Sequence, residues 1–170
     1  MNDRIERAFN EQINAEMYSS YLYLSMNAYF RSENLPGFAN WMMVQAQEEL
    51  QHAMKFYDYV FDQCGRVVLT SIEGPQLKWD SPLAAFEHQL AHEQLVTDLI
   101  NKLVDIASET KDHAAYEFLQ WFVKEQVEEE ANARELVAKA SMIGDDGPGL
   151  YMLDKELAGR PLKLVPAKKN

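Results

Sequence analysis

The amino-acid sequence predicts an all-α fold: four long helices packed as a bundle, one long crossover joining the second helix to the third, and a short fifth helix. Three observations carry that expectation. Glycine (7) and proline (6) are few among the 170 residues, and they cluster at breaks. Between the breaks, apolar residues recur at spacings of three and four, the period of one helical face. The connections run short, long, short, which fixes how the helices can be arranged.

The first helix, α1, is expected at about 3–33 and the second, α2, at about 37–64, separated by Pro36-Gly37. Gly65 and Gly74-Pro75 bracket the next break. Ser81-Pro82 is a start signal, a capping hydroxyl followed by proline at the first helical position, and opens α3 at about 82–109. Thr110 to Asp112 forms a short turn with Asp112 as N-cap of α4, at about 112–143. The Gly144–Gly149 stretch ends α4, and α5 follows at about 149–158. Residues 1–158 are expected to form one domain and 159–170 an irregular tail. Each long helix would span roughly 40–45 Å at 1.5 Å per residue. Short connections make α1–α2 and α3–α4 antiparallel hairpins. About 17 residues separate α2 from α3, enough to run the length of the bundle and leave those two parallel. This crossover contains a β-prone patch, Val67-Val68-Leu69.

Composition narrows the function classes. Lys+Arg is 16 and Asp+Glu is 27, a formal net charge of −11. Such a surface repels phosphate, apart from a short basic end at Lys168-Lys169, so no nucleic-acid partner is expected. An acidic balance suits metal cations or solubility. One cysteine, Cys64, excludes an intrachain disulfide and thiolate-based zinc sites. Met1 to Arg7 is charged and has no apolar core, so no signal peptide is expected. No stretch nears the ~20 apolar residues of a membrane span. The expected setting is the reducing cytoplasm.

The helical faces carry the chemistry. On α1 the face reads Phe9, Ile13, Glu16, Ser20, Tyr23, Asn27, Phe30; on α2 it reads Phe38, Met42, Gln45, Glu49, His52, Phe56, Tyr59. On α3 it reads Leu83, Phe86, Leu90, Glu93, Thr97, Ile100, Val104, Ala107. On α4 it reads Ala115, Leu119, Phe122, Gln126, Glu129, Ala133, Leu136, Ala140, Ile143. The ends of each line are largely apolar, and each helix aims at least one carboxylate at the same core. A buried, unpaired carboxylate costs several kcal/mol. On these lines only His52 can become cationic, so the economical remedy is one or two bound metal ions. Carboxylates with one imidazole and no thiolate favour iron or manganese. Glu49-x-x-His52 puts two ligands on one helical face.

Several stretches resemble ferritin of the bacterial non-haem type. They are Asn10–Ser20 (NEQINAEMYSS), Ala46–His52 (AQEELQH), His92–Leu95 (HEQL) and Phe118–Glu130 (FLQWFVKEQVEEE). Gly149–Leu157 (GLYMLDKEL) resembles that family's fifth helix. The resemblance implies a ferritin-like di-iron bundle, a ferroxidase that oxidises Fe(II) with dioxygen or peroxide, and a twenty-four-subunit shell storing a ferric mineral. It implies that Glu16, Glu49 and His52 bind one iron. Glu49 would bridge to a second iron held by Glu93 and Glu129, with Gln126 nearby and Tyr23 beside the centre. Glu48, Glu125 and Glu128 match a third iron site, with Glu129 as a candidate shared ligand.

Departures from related patterns matter. α4 offers Gln126-x-x-Glu129 where a symmetric di-iron bundle has Glu-x-x-His, so the second iron would lack an imidazole. Leu50-Gln51 stand where bacterioferritin has its haem-binding methionine, so no haem is expected. Tyr116 and Leu119 stand at the acidic channel positions of animal ferritins, so that entry route does not transfer. Rubrerythrin, manganese catalase and the DNA-protecting mini-ferritins are the neighbouring classes. A single cysteine cannot build rubrerythrin's C-x-x-C part, and α5 with few basic residues argues against a mini-ferritin. A metal-free helical interaction module is the reading from a different class. His88, His92 and His113 are expected at the surface or at helix ends, the three tryptophans in packing, and Cys64 as a passive helix-end residue.

Overall fold

The structure, a computed structural model, describes residues 1–161. Its elements are α1 (Asp3–Ser32), α2 (Pro36–Asp62), α3 (Pro82–Glu109), α4 (His113–Ile143) and α5 (Gly147–Leu157). The four-helix bundle with a fifth short helix is therefore as expected, and the ends move by only one or two residues. Of the tail expected at 159–170, residues 162–170 lie outside the described residues. The Lys168-Lys169 basic end lies there too. No strand occurs among the described residues, so the Val67-Val68-Leu69 run is extended chain without a sheet partner.

Local chemistry sets each boundary. Asn2, Ser81, Asp112 and Asp146 each accept a hydrogen bond from a backbone N–H in the first turn of α1, α3, α4 and α5. α1, α2 and α3 end in the same hydrogen-bonded wrap. Leu35 N–H reaches Phe30 O, Gly65 N–H reaches Val60 O, and Asp112 N–H reaches Ala107 O. The wrap needs a left-handed residue, supplied by Asn34 (φ 57°), Cys64 (φ 55°) and Lys111 (φ 55°). Pro36 and Gly37 do not form the turn between α1 and α2: Pro36 opens α2, and Gly37 is needed for a close approach. A β-carbon there would lie 1.6 Å from the carbonyl oxygen of Asp154 on α5.

The crossover runs the length of α1, as its length predicted. Asn10 donates to Arg66 O and accepts from Val68 N–H; Asn14 donates to Thr70 and Ser71. Further along, Ser25 donates to Gln76 O, and Trp79 packs on Tyr29. The chain thus returns to the far end of the bundle before α3 begins, and α3 runs parallel to α2.

The core is divided in two. At one end Leu22, Met26, Phe30, Phe38, Met42, Phe86 and Leu136 form an apolar cluster against α5. At the other end Ile5, Phe9, Ile13, Phe56, Val60, Ile100, Leu119 and Phe122 form a second. Phe56 stacks on Phe122 at 4.2 Å between ring centroids. A band of buried polar side chains lies between the two clusters. It contains Glu16, Ser19, Gln45, Glu49, His52, Gln89, Glu93, Gln126 and Glu129.

α5 is bolted to the start of α2. Asp154 Oδ1 accepts from Gly37 N–H (2.8 Å) and Phe38 N–H (3.0 Å). Gly37→Ala must push α5 away and break both bonds. It should cost about 1–3 kcal/mol, lower the melting temperature and expose α5 to protease while the bundle stays helical. Thermal melts and limited proteolysis check this; unchanged cleavage near α5 would contradict the bolt.

Candidate metal centre

Each long helix contributes to the polar band because its face line meets the bundle axis at that level. Glu16 comes from α1, Gln45, Glu49 and His52 from α2, Glu93 from α3, and Gln126 and Glu129 from α4. All five predicted carboxylate and imidazole residues of the two-metal centre are buried, Glu16 and Glu93 to 1% exposure. A slip of helical phase, which would put them in water, is thereby excluded for this structure.

Glu16, Glu49 and His52 each offer a ligand atom, and these atoms lie within 4.8 Å of one another. His52 Nδ1 is 3.2 Å from Glu49 Oε2. Gln12 Nε2 donates to Glu16 Oε1 at 2.9 Å. Glu16 Oε2 receives no hydrogen bond from any neutral donor. It faces Glu49, and a bond between the two carboxyls forms only when one of them keeps its proton. A bare acceptor in a dry interior, beside a second carboxylate and an imidazole, is suited to a cation.

Glu93 and Glu129 form the opposite side. Tyr23 OH donates to Glu93 Oε1. Gln126 Nε2 lies 3.3 Å from Glu93 Oε2 and 3.2 Å from the Glu93 carbonyl. Gln45 Nε2 donates to Glu129 Oε2 at 3.0 Å. The two sides belong to one electrostatic unit, since Glu93 and Glu129 both push up the pKa of Glu49. Glu49 is thus the carboxylate that faces both sides.

The third predicted set is not gathered in the same way. Glu48 is buried and pairs with Arg160 at 2.6 Å. Glu125 is half-buried and Glu128 is exposed.

The histidine expectations need one correction. His113 is exposed at the start of α4, and His88 is half-buried, accepting from Trp79 Nε1. His92 is buried: its Nε2 is 2.8 Å from Ser19 Oγ, and its ring meets Tyr23 edge-on. Its polar character suggested the surface, but the partner that lets it be buried lies on α1. Gln45 and Gln12 also belong to the centre. Gln45 stood on the predicted α2 face, whereas Gln12, one turn before Glu16, was missed.

Burial dominates the acid–base behaviour. Desolvation, with the nearby Glu49 charge, pushes the Glu16 carboxyl to about 8. Desolvation and the Glu129 charge do the same to Glu93, also to about 8. Glu49 is raised well above the carboxylate range, and the Tyr23 phenol is raised too. Burial pushes His92 down to about 4.

A helical bundle with an acidic, dehydrated band defines the class: four-helix proteins with buried ligand groups that could hold a cation between their helices. The comparisons with known proteins are more specific. The family model described as a ferritin-like domain matches residues 6–143. The bacterial non-heme ferritin of Bacteroides fragilis is 44% identical over 94% of this chain and 99% of that protein. That of Staphylococcus saprophyticus is 41% identical over 94% of this chain and 96% of its own. Among solved structures, an engineered closed form of Archaeoglobus fulgidus ferritin is 55% identical with a TM-score of 0.95, covering 96% of this chain and 99% of that one. The chain belongs to the ferritin family.

A pH prediction follows for the metal-free protein. Glu16 and Glu93 are raised in the folded state, so folding retains protons that the unfolded chain releases. Their stabilising contribution is full below the unfolded value of 4.5 and is lost as pH rises through about 8. His92, being lowered from 6.5, acts oppositely, losing its contribution as pH falls from 6.5 toward about 4. Between pH 6.5 and 8 the carboxyl contributions fall, while that of His92 rises only slightly. Each retained proton is worth about 1.4 kcal/mol per pH unit, a few degrees of melting temperature at this size. Glu16→Gln should therefore flatten the fall in melting temperature over that interval. A parallel fall in wild type and variant would refute the assignment.

Proposed function

We propose that this protein stores iron and is a ferroxidase, oxidising Fe(II) at a two-iron centre and passing Fe(III) to a mineral inside a shell. The observation that carries the reading is the convergence of Glu16, Glu49, His52, Glu93 and Glu129 from four helices into one dehydrated band. The first iron is held by Glu16, Glu49 and His52. Glu49 bridges to the second, held by Glu93 and Glu129 with Gln126 alongside. Glu48, Glu125 and Glu128 serve a third ion on its way out, with Glu129 shared.

The chemistry needs two electrons. Each Fe(II) gives one. Dioxygen takes two electrons and two protons to become hydrogen peroxide, or peroxide takes the same to become two waters. Hard carboxylate oxygens favour Fe(III) over Fe(II), which pulls the oxidation forward. Fe(II) entering would displace the protons that burial favours on Glu16, Glu49 and Glu93, and those protons become available to the reduced oxygen. Tyr23, hydrogen-bonded to Glu93, orients that carboxylate beside the centre. The second site has an amide, Gln126, in place of an imidazole. It holds Fe(III) weakly, so the product leaves.

The resemblance to ferritins supports a twenty-four-subunit homo-oligomeric shell in the cytoplasm. No helix among the described residues is long and apolar enough to cross a membrane. Exposed apolar side chains along the outer side of the hairpin and crossover, such as Leu24, Leu69 and Leu77, supply surface for subunit contacts. We assign no haem to the protein, because Leu50-Gln51 lack the thioether ligand.

Glu49→Ala and His52→Ala should slow the initial aerobic oxidation of Fe(II) by on the order of 10–100-fold or more, the range seen when metal-site groups are removed. Stopped-flow absorbance reads the rate, and an unchanged initial rate would overturn the ferroxidase reading. Gln126→His should hold iron at the centre longer after turnover. Equal release of Fe(III) from wild type and variant would refute the proposed role of the weak second site.

A further inference from the structure

Four of the buried carboxylates are held by groups that are neutral or only conditionally charged. Gln12 serves Glu16, His52 serves Glu49, Tyr23 and Gln126 serve Glu93, and Gln45 serves Glu129. Glu48 differs. It sits on α2 immediately before Glu49, is 7% exposed, and takes a hydrogen bond from Arg160 at 2.6 Å. Both side chains of this pair are nearly out of water, at 12% and 9% exposure. The Arg4–Glu109 pair, by contrast, lies at the surface at 52% and 60%.

The guanidinium is delivered to that place by its surroundings. Arg160 follows α5, and Asn40 Nδ2 fastens this stretch by donating to the carbonyls of Leu157, Ala158 and Arg160 at 3.1, 3.4 and 3.2 Å. The guanidinium lies 3.9 Å from the centre of the Trp41 ring, which orients the planar cation toward Glu48. Its second nitrogen is buried and makes no hydrogen bond among the described residues.

We propose that Arg160 is a latch on Glu48: a built-in cation that competes with a metal ion for that carboxylate and keeps the third site weaker than the other two. The inference rests on the reading of Glu48 as a third-site ligand. A guanidinium stays charged at every pH a protein survives. Loss of a proton from Arg160 therefore cannot open the latch; a competing cation on Glu48 can. Iron leaving the two-metal centre through Glu48 must first exchange with Arg160. Arg160 is thus a positioning residue, acting on the metal only through Glu48.

The test is an anaerobic calorimetric titration of the metal-free shell with Zn(II), which binds carboxylates and imidazole without oxidation. Wild type should take two ions per subunit tightly and a third weakly. Arg160→Ala should leave the first two unchanged and tighten the third on the order of tenfold, as expected if Glu48 is available about a tenth of the time in wild type. Arg160→Lys, which keeps the charge but not the planar stack, should lie nearer wild type. In a Glu48→Gln background the Arg160→Ala effect should vanish. Equal third-site affinity in wild type and Arg160→Ala overturns the latch, as does a tightening that persists with Glu48→Gln. Wild type that binds no Zn(II) at the first two sites overturns the two-metal reading itself, and the latch with it.

Discussion

Carboxylates packed between two apolar clusters set the terms for the rest of this protein. Each ionised group there has lost most of its water, and the penalty for an uncompensated charge is several kcal/mol. Helices are the backbone that tolerates this, because their peptide groups satisfy one another internally and leave only side chains in need of partners. The aromatic stack of Phe56 and Phe122 on one side and the Phe30, Phe38 and Phe86 cluster on the other hold the band closed. The glutamates cannot turn outward without opening one of those clusters. In the absence of metal, burial favours the protonated form of Glu16, Glu49 and Glu93. Under the proposed reading a cation would take over the same oxygens, so that one geometry would serve binding and release.

The partners chosen for these glutamates are consistent with that exchange. Amides and a phenol orient a carboxylate without neutralising it. Gln12, Gln45, Gln126 and Tyr23 fix the direction of four oxygens and leave the net negative charge for an incoming ion. Lysines or arginines in those places would satisfy the same oxygens and abolish the attraction for metal. The Lys139–Glu135 and Arg134–Glu130 salt bridges, which do use such cations, lie toward the outside of the helices, whereas Arg160–Glu48 is a buried one.

Much of this was legible in the sequence, and the exceptions have physical causes. On α4 every buried residue lies on the line read from spacing alone, because a long uninterrupted helix with small and apolar neighbours leaves one choice of face. On α3 the face is rotated slightly. The core takes Gln89, His92, Val96 and Leu103, whereas Leu90, Thr97 and Val104 stand at its edge. Two polar residues bent that reading toward the wrong side. His92 is buried because Ser19 reaches it, a contact between residues 73 apart in the chain that no local pattern contains. Helix endings show the same limit. Asn34 is a residue type that accepts the left-handed conformation, but Cys64 and Lys111 are not, and tertiary packing imposes it on them. Arg160 meeting Glu48, 112 positions away, was equally out of reach.

α5 looks peripheral in sequence, yet it governs the helix with the densest set of ligands. The N-cap of α2 is Leu35, whose side chain cannot cap, and the helix has no acidic residue in its first turn. Its N-terminal N–H groups would be left without acceptors in a buried place. Asp154 supplies the missing acceptor from another helix, taking two of those N–H groups on one oxygen. It also places a negative group at the positive end of the α2 dipole, where it is favourable. The absence of a side chain at Gly37 is what allows that approach. Gln45, Glu48, Glu49 and His52 all lie further along α2, so the register of α2 against the bundle fixes where their oxygens and nitrogens sit. A helix of 11 residues thus does for α2 what Ser81 does for α3 and Asp112 does for α4. Because the cap comes from a distant part of the chain, the helix that carries Gln45, Glu48, Glu49 and His52 is secured only once the last helix has docked.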